Sequence, residues 1–182
     1  KGIKDITILN SSLAPCHEFL IDMIKDGTVT AIETSGLRDA LGKFLSLNPG
    51  VLKRPVVIRS HGGRARAVCT GEAHIDVAFM GVPACDRRGN ATGRKGKSAC
   101  GAFGYAMVDS HYADQTVLLT DNLIDNVYPI SIPQTDVDYI VEVEAIGDPE
   151  GIASGAVGIT KNPVQIKIAE MAAEFLDEAG II

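Results

Sequence analysis

Short apolar runs rich in Ile and Val recur along the chain, and amphipathic stretches separate them. Strand-length runs fall at 3–9, 28–33, 55–59, 75–80, 115–120 and 138–144. Between them lie helix-period stretches from Pro15 to Gly27 and from Leu37 to Leu47, with a final one that Asn162 caps, Pro163 starts and Gly180 ends. In that last stretch Ile168, Met171, Ala172, Phe175, Leu176 and Ala179 follow the i, i+3, i+4, i+7 spacing of a helix with one apolar face. Such alternation predicts βαβ units and a mostly parallel sheet, because a parallel strand can be reached only through a crossover. Several strand runs are apolar nearly throughout, as expected where both faces are covered. The expected fold is α/β, in one domain spanning 1–182.

Two stretches interrupt the alternation. Gly81 to Gly104 is glycine-rich, polar and without clear period, and loops of that length inside a domain are functional or disordered. Pro129 to Asp138 holds two prolines, which predicts an extended edge or crossover rather than a central strand.

Several classes are excluded or disfavoured. No run of 18 apolar residues exists, so no membrane-spanning helix is predicted. The four cysteines (Cys16, Cys69, Cys85, Cys100) show no C-x-x-C spacing, and the four histidines (His17, His61, His74, His111) are equally scattered. Free thiols, a cytoplasmic location and no metal site are the expectation. There is no initiator Met and no leader-like start, and both ends read as cuts through a longer chain.

Charge is unevenly spread. The net charge of −6 conceals a basic middle, with ten Lys or Arg against three Asp or Glu from Lys53 to Lys97. An acidic body with a basic middle argues against general nucleic-acid binding, which needs a broad positive face. It fits a local site for a small polyanion.

Four motifs carry candidate chemistry. Ser60-His61-Gly62-Gly63-Arg64-Ala65-Arg66 follows the 55–59 run and opens a helix predicted to reach about Gly71. A strand–glycine turn–helix unit aims free N–H groups at an anion or a thioester oxyanion, and Arg64 or Arg66 adds a charged donor. Ala91 to Ser98 has relaxed phosphate-loop spacing, but a true phosphate loop leaves a strand and enters a helix directly, so nucleotide hydrolysis is disfavoured. Ser98 and Cys100 with His61 or His111 lack any nucleophile-elbow spacing, which favours inert side chains. Asp148 and Glu150 sit among glycines and read as turn residues.

Taken in order, these stretches resemble the alpha subunit of citrate lyase, its citrate CoA-transferase component. The resemblance rests on Ser60–Ala67 (SHGGRARA), His74–Phe79 (HIDVAF), Gly89-Asn90-Ala91, Gly93, Gly96–Gly101 (GKSACG) and Gly104–Asp109 (GYAMVD). It continues through Gln134–Val143 (QTDVDYIVEV), Ala145–Ala156 (AIGDPEGIASGA) and Thr160–Pro163 (TKNP). What the resemblance implies is the CoA-transferase fold, a three-layer α/β/α sandwich around a mostly parallel sheet. It implies acyl transfer from an acetyl thioester to citrate, giving a citryl thioester and acetate. The thioester would ride on an acyl carrier (gamma) subunit through a dephospho-CoA-type arm, or on CoA, with no cofactor held tightly by this chain. A citrate lyase beta subunit would be a further partner. Ser60, His61, Gly62, Gly63, Arg64, Arg66, Asn90, Gly93 and Gly101 are the implied substrate-binding residues. No catalytic residue is assigned, because CoA-transferases generally carry their key carboxylate in a second half. The alternative is a non-catalytic scaffold that docks the partner subunits or the carrier protein.

Overall fold

The computed structural model describes residues 2–152 and 160–181, so Ala153, Ser154, Gly155 and Ala156 of the Ala145–Ala156 motif lie outside the described residues. The chain divides into two compact units, Lys1–Ile146 and Gly147–Ile182.

In the first unit, β1 (Ile6–Asn10), β2 (Val29–Thr34) and β3 (Val57–Ile58) form a parallel sheet in that order. The helices α1 (Leu20–Lys25) and α2 (Asp39–Leu47) supply the crossovers. Their apolar faces meet the strands in a core of Leu13, Leu20, Ile24, Val29, Ile32 and Leu41. A second parallel sheet orders β4 (Val77–Gly81), β7 (Gln115–Thr120) and β9 (Tyr139–Glu142). Two helices, α3 (His61–Cys69) and α4 (Tyr105–Tyr112), accompany it. Ala67 and Val68 of α3 share a core with Ala78, Met80 and Leu118 of the strands, joined by Ala106 and Val108 of α4. The architecture is therefore α/β with mostly parallel strands, but they form two ladders rather than one continuous sheet.

The opposite face of the second sheet is a departure from expectation. Phe79, Val117 and Tyr139 are register partners on one face, and Phe79 is 73% exposed and Tyr139 54%. The apolar runs predicted cover on both faces; here one face is open.

The 81–104 stretch is ordered. It contains β5 (Ala84–Asp86) and β6 (Ala91–Thr92), which with β8 (Leu123–Ile124) make a small mixed sheet. Ile132, from the proline-containing crossover, bridges to Ala91 and confirms an edge role for that segment. Asp86 is the polar hub. Its carboxylate accepts from the backbone N–H groups of Arg88 (2.9 Å), Asn90 (3.1 Å) and Val127 (3.4 Å), and from the Asn90 amide (3.0 Å). Burial pushes this carboxyl up, but those hydrogen bonds outweigh it and hold it below the usual range.

In the second unit, α5 (Pro163–Glu178) begins as the sequence predicts: the Asn162 side chain accepts from Val164 N–H at 2.9 Å, and Pro163 takes the first turn. Past its end Gly180 adopts φ +63°, which lets Ile181 N–H reach back to the Leu176 carbonyl. Pro15–His17 is only a 3-10 turn, so the first helix starts later, at Leu20. No helix among the described residues is long and apolar enough to cross a membrane.

Asp86 has a folded pKa below its unfolded one, so its contribution is full above the unfolded value and is lost as pH falls through the folded value. Asp86→Asn is expected to cost about 2 kcal/mol at neutral pH, because four buried donors face an amide. Urea denaturation should show the gap between wild type and variant narrowing below about pH 4.

Candidate functional site

Ligands of parallel sheets collect beyond the carboxyl ends of the strands, and three loops meet there in the first sheet. β1 runs into Asn10-Ser11-Ser12, β2 into Ser35-Gly36, and β3 into Arg59-Ser60. Backbone hydrogen bonds hold them side by side: Ser35 N–H donates to Ser11 O (3.1 Å), Leu13 N–H to Gly36 O (2.9 Å) and Arg59 N–H to Thr34 O (2.9 Å). Ser11, Ser12 and Ser35 carry only a faint signal in the sequence, a small polar residue just after each apolar run.

The third loop opens α3. Ser60 is its cap, and its hydroxyl accepts from Gly63 N–H at 3.1 Å. A side chain at position 63 would place its Cβ 2.9 Å from that hydroxyl, which explains the second glycine. The N–H groups of His61 and Gly62 have no partner among the described residues. A Cβ at Gly62 would meet nothing within 4 Å, so the backbone there is open to an approaching ligand.

Arg64 takes a different place from the one its sequence position implies. It is 3% exposed, and both terminal nitrogens donate to Asp109 of α4 at 2.8 Å. Its guanidinium lies 5.7 Å from the centroid of the Tyr105 ring, against which His61 also packs at 5.3 Å. α3 and α4 are thus fastened together through Arg64, Asp109 and Tyr105, and Tyr105 and Asp109 are neighbours of the turn that no local spacing could reveal. Arg66 is on the outer face, donating to Glu72 at 2.8 Å. Glu72 also accepts from Arg59 at 2.7 Å, and these two arginines, Arg59 first, hold its carboxyl below the usual range.

The remaining implied residues lie in the ordered loop. Asn90 is buried, bonded to Asp86 and accepting from Gln134 N–H at 3.0 Å, so it fastens the loop to the crossover. Gly93 is where the chain closes on itself: its carbonyl accepts from Cys100 N–H (2.8 Å) and Gly101 N–H (3.0 Å). A Cβ at Gly93 would fall 2.2 Å from the Gly101 carbonyl oxygen. Gly96, at φ +89°, rests on the Pro83 carbonyl in the same way. The structure therefore brings Ser60, His61, Gly62, Gly63 and Arg64 together, and sets Asn90, Gly93 and Gly101 in a framework that leads into α4.

The disfavoured chemistries gain nothing. The phosphate-loop spacing enters no helix before Tyr105. Ser98 is 1% exposed, and neither it nor Cys100 is hydrogen-bonded to His61 or His111 among the described residues. His111 pairs with Asp136 at 3.0 Å. Burial, then the Asp86 charge, pushes the Cys85 thiol up to about 11, so it is no nucleophile at neutral pH. Asp148 accepts from Glu150 N–H at 3.0 Å, which is a turn.

The family model for citrate lyase, alpha subunit (CitF), matches residues 1–182. The chain is 48% identical over 180 residues to the citrate lyase alpha chain of Klebsiella pneumoniae, covering 98% of this chain and 35% of that one. It is similar to a Streptococcus mutans protein described as the alpha subunit of citrate lyase and solved in complex with citrate. Identity is 60% and the TM-score 0.85, over 93% of this chain and 33% of that one. Glutaconate coenzyme A-transferase from Acidaminococcus fermentans shares the fold at 14% identity, with a TM-score of 0.53 over 77% of this chain and 62% of that one. The chain spans about a third of the length of the curated relatives it matches.

Removing either partner of the Arg64–Asp109 pair strands a buried charge. Arg64→Ala or Asp109→Ala should each cost about 3 kcal/mol or more, with the double variant far less than additive. A thermodynamic double-mutant cycle read by urea denaturation measures the coupling.

Proposed function

The chain belongs to the citrate lyase alpha subunit family, and from that premise we propose that it forms one wall of an acyl-exchange site. In the full-length subunit, citrate would replace acetate on a thioester, giving a citryl thioester and free acetate. The thioester would be carried on the acyl carrier (gamma) subunit or on CoA, and the beta subunit would be the partner that acts next. The observation that carries this reading is the open first turn of α3, set beyond the carboxyl end of β3. Its unpartnered His61 and Gly62 N–H groups are donors for a carboxylate or for the oxyanion formed when a thioester carbonyl is attacked.

That chemistry needs positioning and charge stabilisation more than a proton relay. Ser60 and Gly63 shape the turn, and His61 rests on Tyr105 at its mouth. Arg64 serves through its pair with Asp109, which fixes the direction in which the free N–H groups point. Citrate bound to the Streptococcus mutans relative supports a polycarboxylate as the ligand. No residue here is given a catalytic role. A scaffold that merely docks the partner subunits remains the rival, and it predicts indifference to changes at the turn.

Gly62→Ala separates the two. The methyl group has space, and alanine favours the helix by about 1 kcal/mol, so stability should hold or rise. Acyl transfer by the full-length subunit should nevertheless fall about tenfold or more in kcat/KM, because the methyl group occupies the ligand's approach. Transfer at the wild-type rate would remove α3 from the site.

A further inference from the structure

The basic middle of the sequence divides sharply once its partners are known. Lys53 pairs with Asp5, Arg54 donates to Thr7, Arg59 and Arg66 share Glu72, Arg64 holds Asp109, and Arg88 donates to Asn126. Lys97 is 3.3 Å from Asp121. Three cations of this segment, Arg87, Arg94 and Lys95, are exposed and make no side-chain hydrogen bond or ion pair among the described residues, and of these Arg94 and Lys95 are adjacent while Arg87 stands apart between β5 and β6. Among the described residues, the one adjacent pair of free cations is therefore not on α3 itself but on the 93–101 loop.

That loop is a rigid support. The Gly93 carbonyl closes its base through Cys100 and Gly101, and Gly96 is pressed on the Pro83 carbonyl. Arg94 N–H donates to Thr92 Oγ1 at 3.3 Å, and Ser98 is fully buried beneath. Lys97 is tethered by Asp121, whose carboxyl is held low first by Ile146 N–H and then by Lys97 itself, against burial. Four residues beyond Gly101 the chain enters α4 at Tyr105, which packs on His61. An adjacent pair of unneutralised cations on the loop that leads to Tyr105 suits a phosphate-bearing ligand: the guanidinium grips phosphate oxygens in pairs and the ammonium adds a second point charge.

We propose that Arg94 and Lys95 form a phosphate-docking point that receives the phosphate groups of the thioester carrier while the acyl end lies at α3. The proposal rests on the acyl-exchange reading for its carrier, and on the loop's geometry for its ligand class. The phosphates of free CoA and those of a carrier-protein arm offer the same chemistry.

The test uses the full-length subunit with Arg94→Glu/Lys95→Glu, and the milder Arg94→Gln/Lys95→Gln in case charge reversal disturbs folding. Three acyl donors are compared: acetyl-CoA, the acetylated carrier protein, and acetylpantetheine, which has no phosphate. The expected result is a KM raised about tenfold for the phosphate-bearing donors, with kcat within about twofold and acetylpantetheine kinetics unchanged. A rise for acetyl-CoA alone, or for the carrier protein alone, identifies which source uses the point. An equal rise for all three donors, or none for any, overturns the proposal. Calorimetric titration with inorganic pyrophosphate is read independently: salt-sensitive binding should be lost in the variants, and equal binding by wild type and variants overturns it too. A wild-type subunit that transfers nothing yet binds pyrophosphate through these residues would sink only the acyl-exchange reading.

Discussion

The bidentate pair between Arg64 and Asp109 is the interaction on which the site depends. It is the point where α3, launched from one parallel sheet, is fastened to α4, which packs with the other. Burying a guanidinium and a carboxylate costs several kcal/mol in desolvation, and their attraction returns that only with good geometry. A pair of leucines would hold two helices together at least as well. What the ion pair adds is direction, since two parallel hydrogen bonds fix both helix axes about the contact. The free N–H groups of His61 and Gly62 are thereby aimed, and so is the loop that leads into Tyr105.

Glycine and charge then divide the work. At Gly62 the missing side chain leaves the backbone open; at Gly93 it leaves room for the chain itself, since a Cβ there would fall 2.2 Å from the Gly101 carbonyl oxygen. Sequence pattern treats these glycines alike, but one keeps the backbone accessible and the other locks it. The arginines divide similarly. Arg59, Arg64 and Arg66 are structural, each held by an acidic partner, whereas Arg94 stands clear on a loop made rigid by Gly93 and Gly96.

Much of the fold was legible because it is written in local periodicity. All six strand runs appear within three residues of their expected bounds, and α5 starts at Pro163 with Asn162 as its cap. The α3 turn was legible too, since a strand, two glycines and a helix-period run are contiguous. What was not legible is long-range pairing. Asp109 lies 45 residues from Arg64, and nothing near either residue announces the other. The same holds for Asn90 and Gln134, whose bond 44 residues apart turns a polar loop residue into a buried fastener. The 81–104 stretch lacked a period because its strands are two and three residues long, too short to show alternation. The apolar face of Phe79 and Tyr139 misled in the other direction: composition tells that a face is fit to be covered, and not which part of a protein covers it.

The central claim is that the first turn of α3 meets the substrate. Hydrogen–deuterium exchange of the full-length subunit with and without citrate tests it most directly. The account predicts that amide exchange in a peptide spanning 60–67 slows as citrate saturates, because the His61 and Gly62 N–H groups become bonded. Protection confined to other segments, with 60–67 exchanging at its unliganded rate, would contradict it.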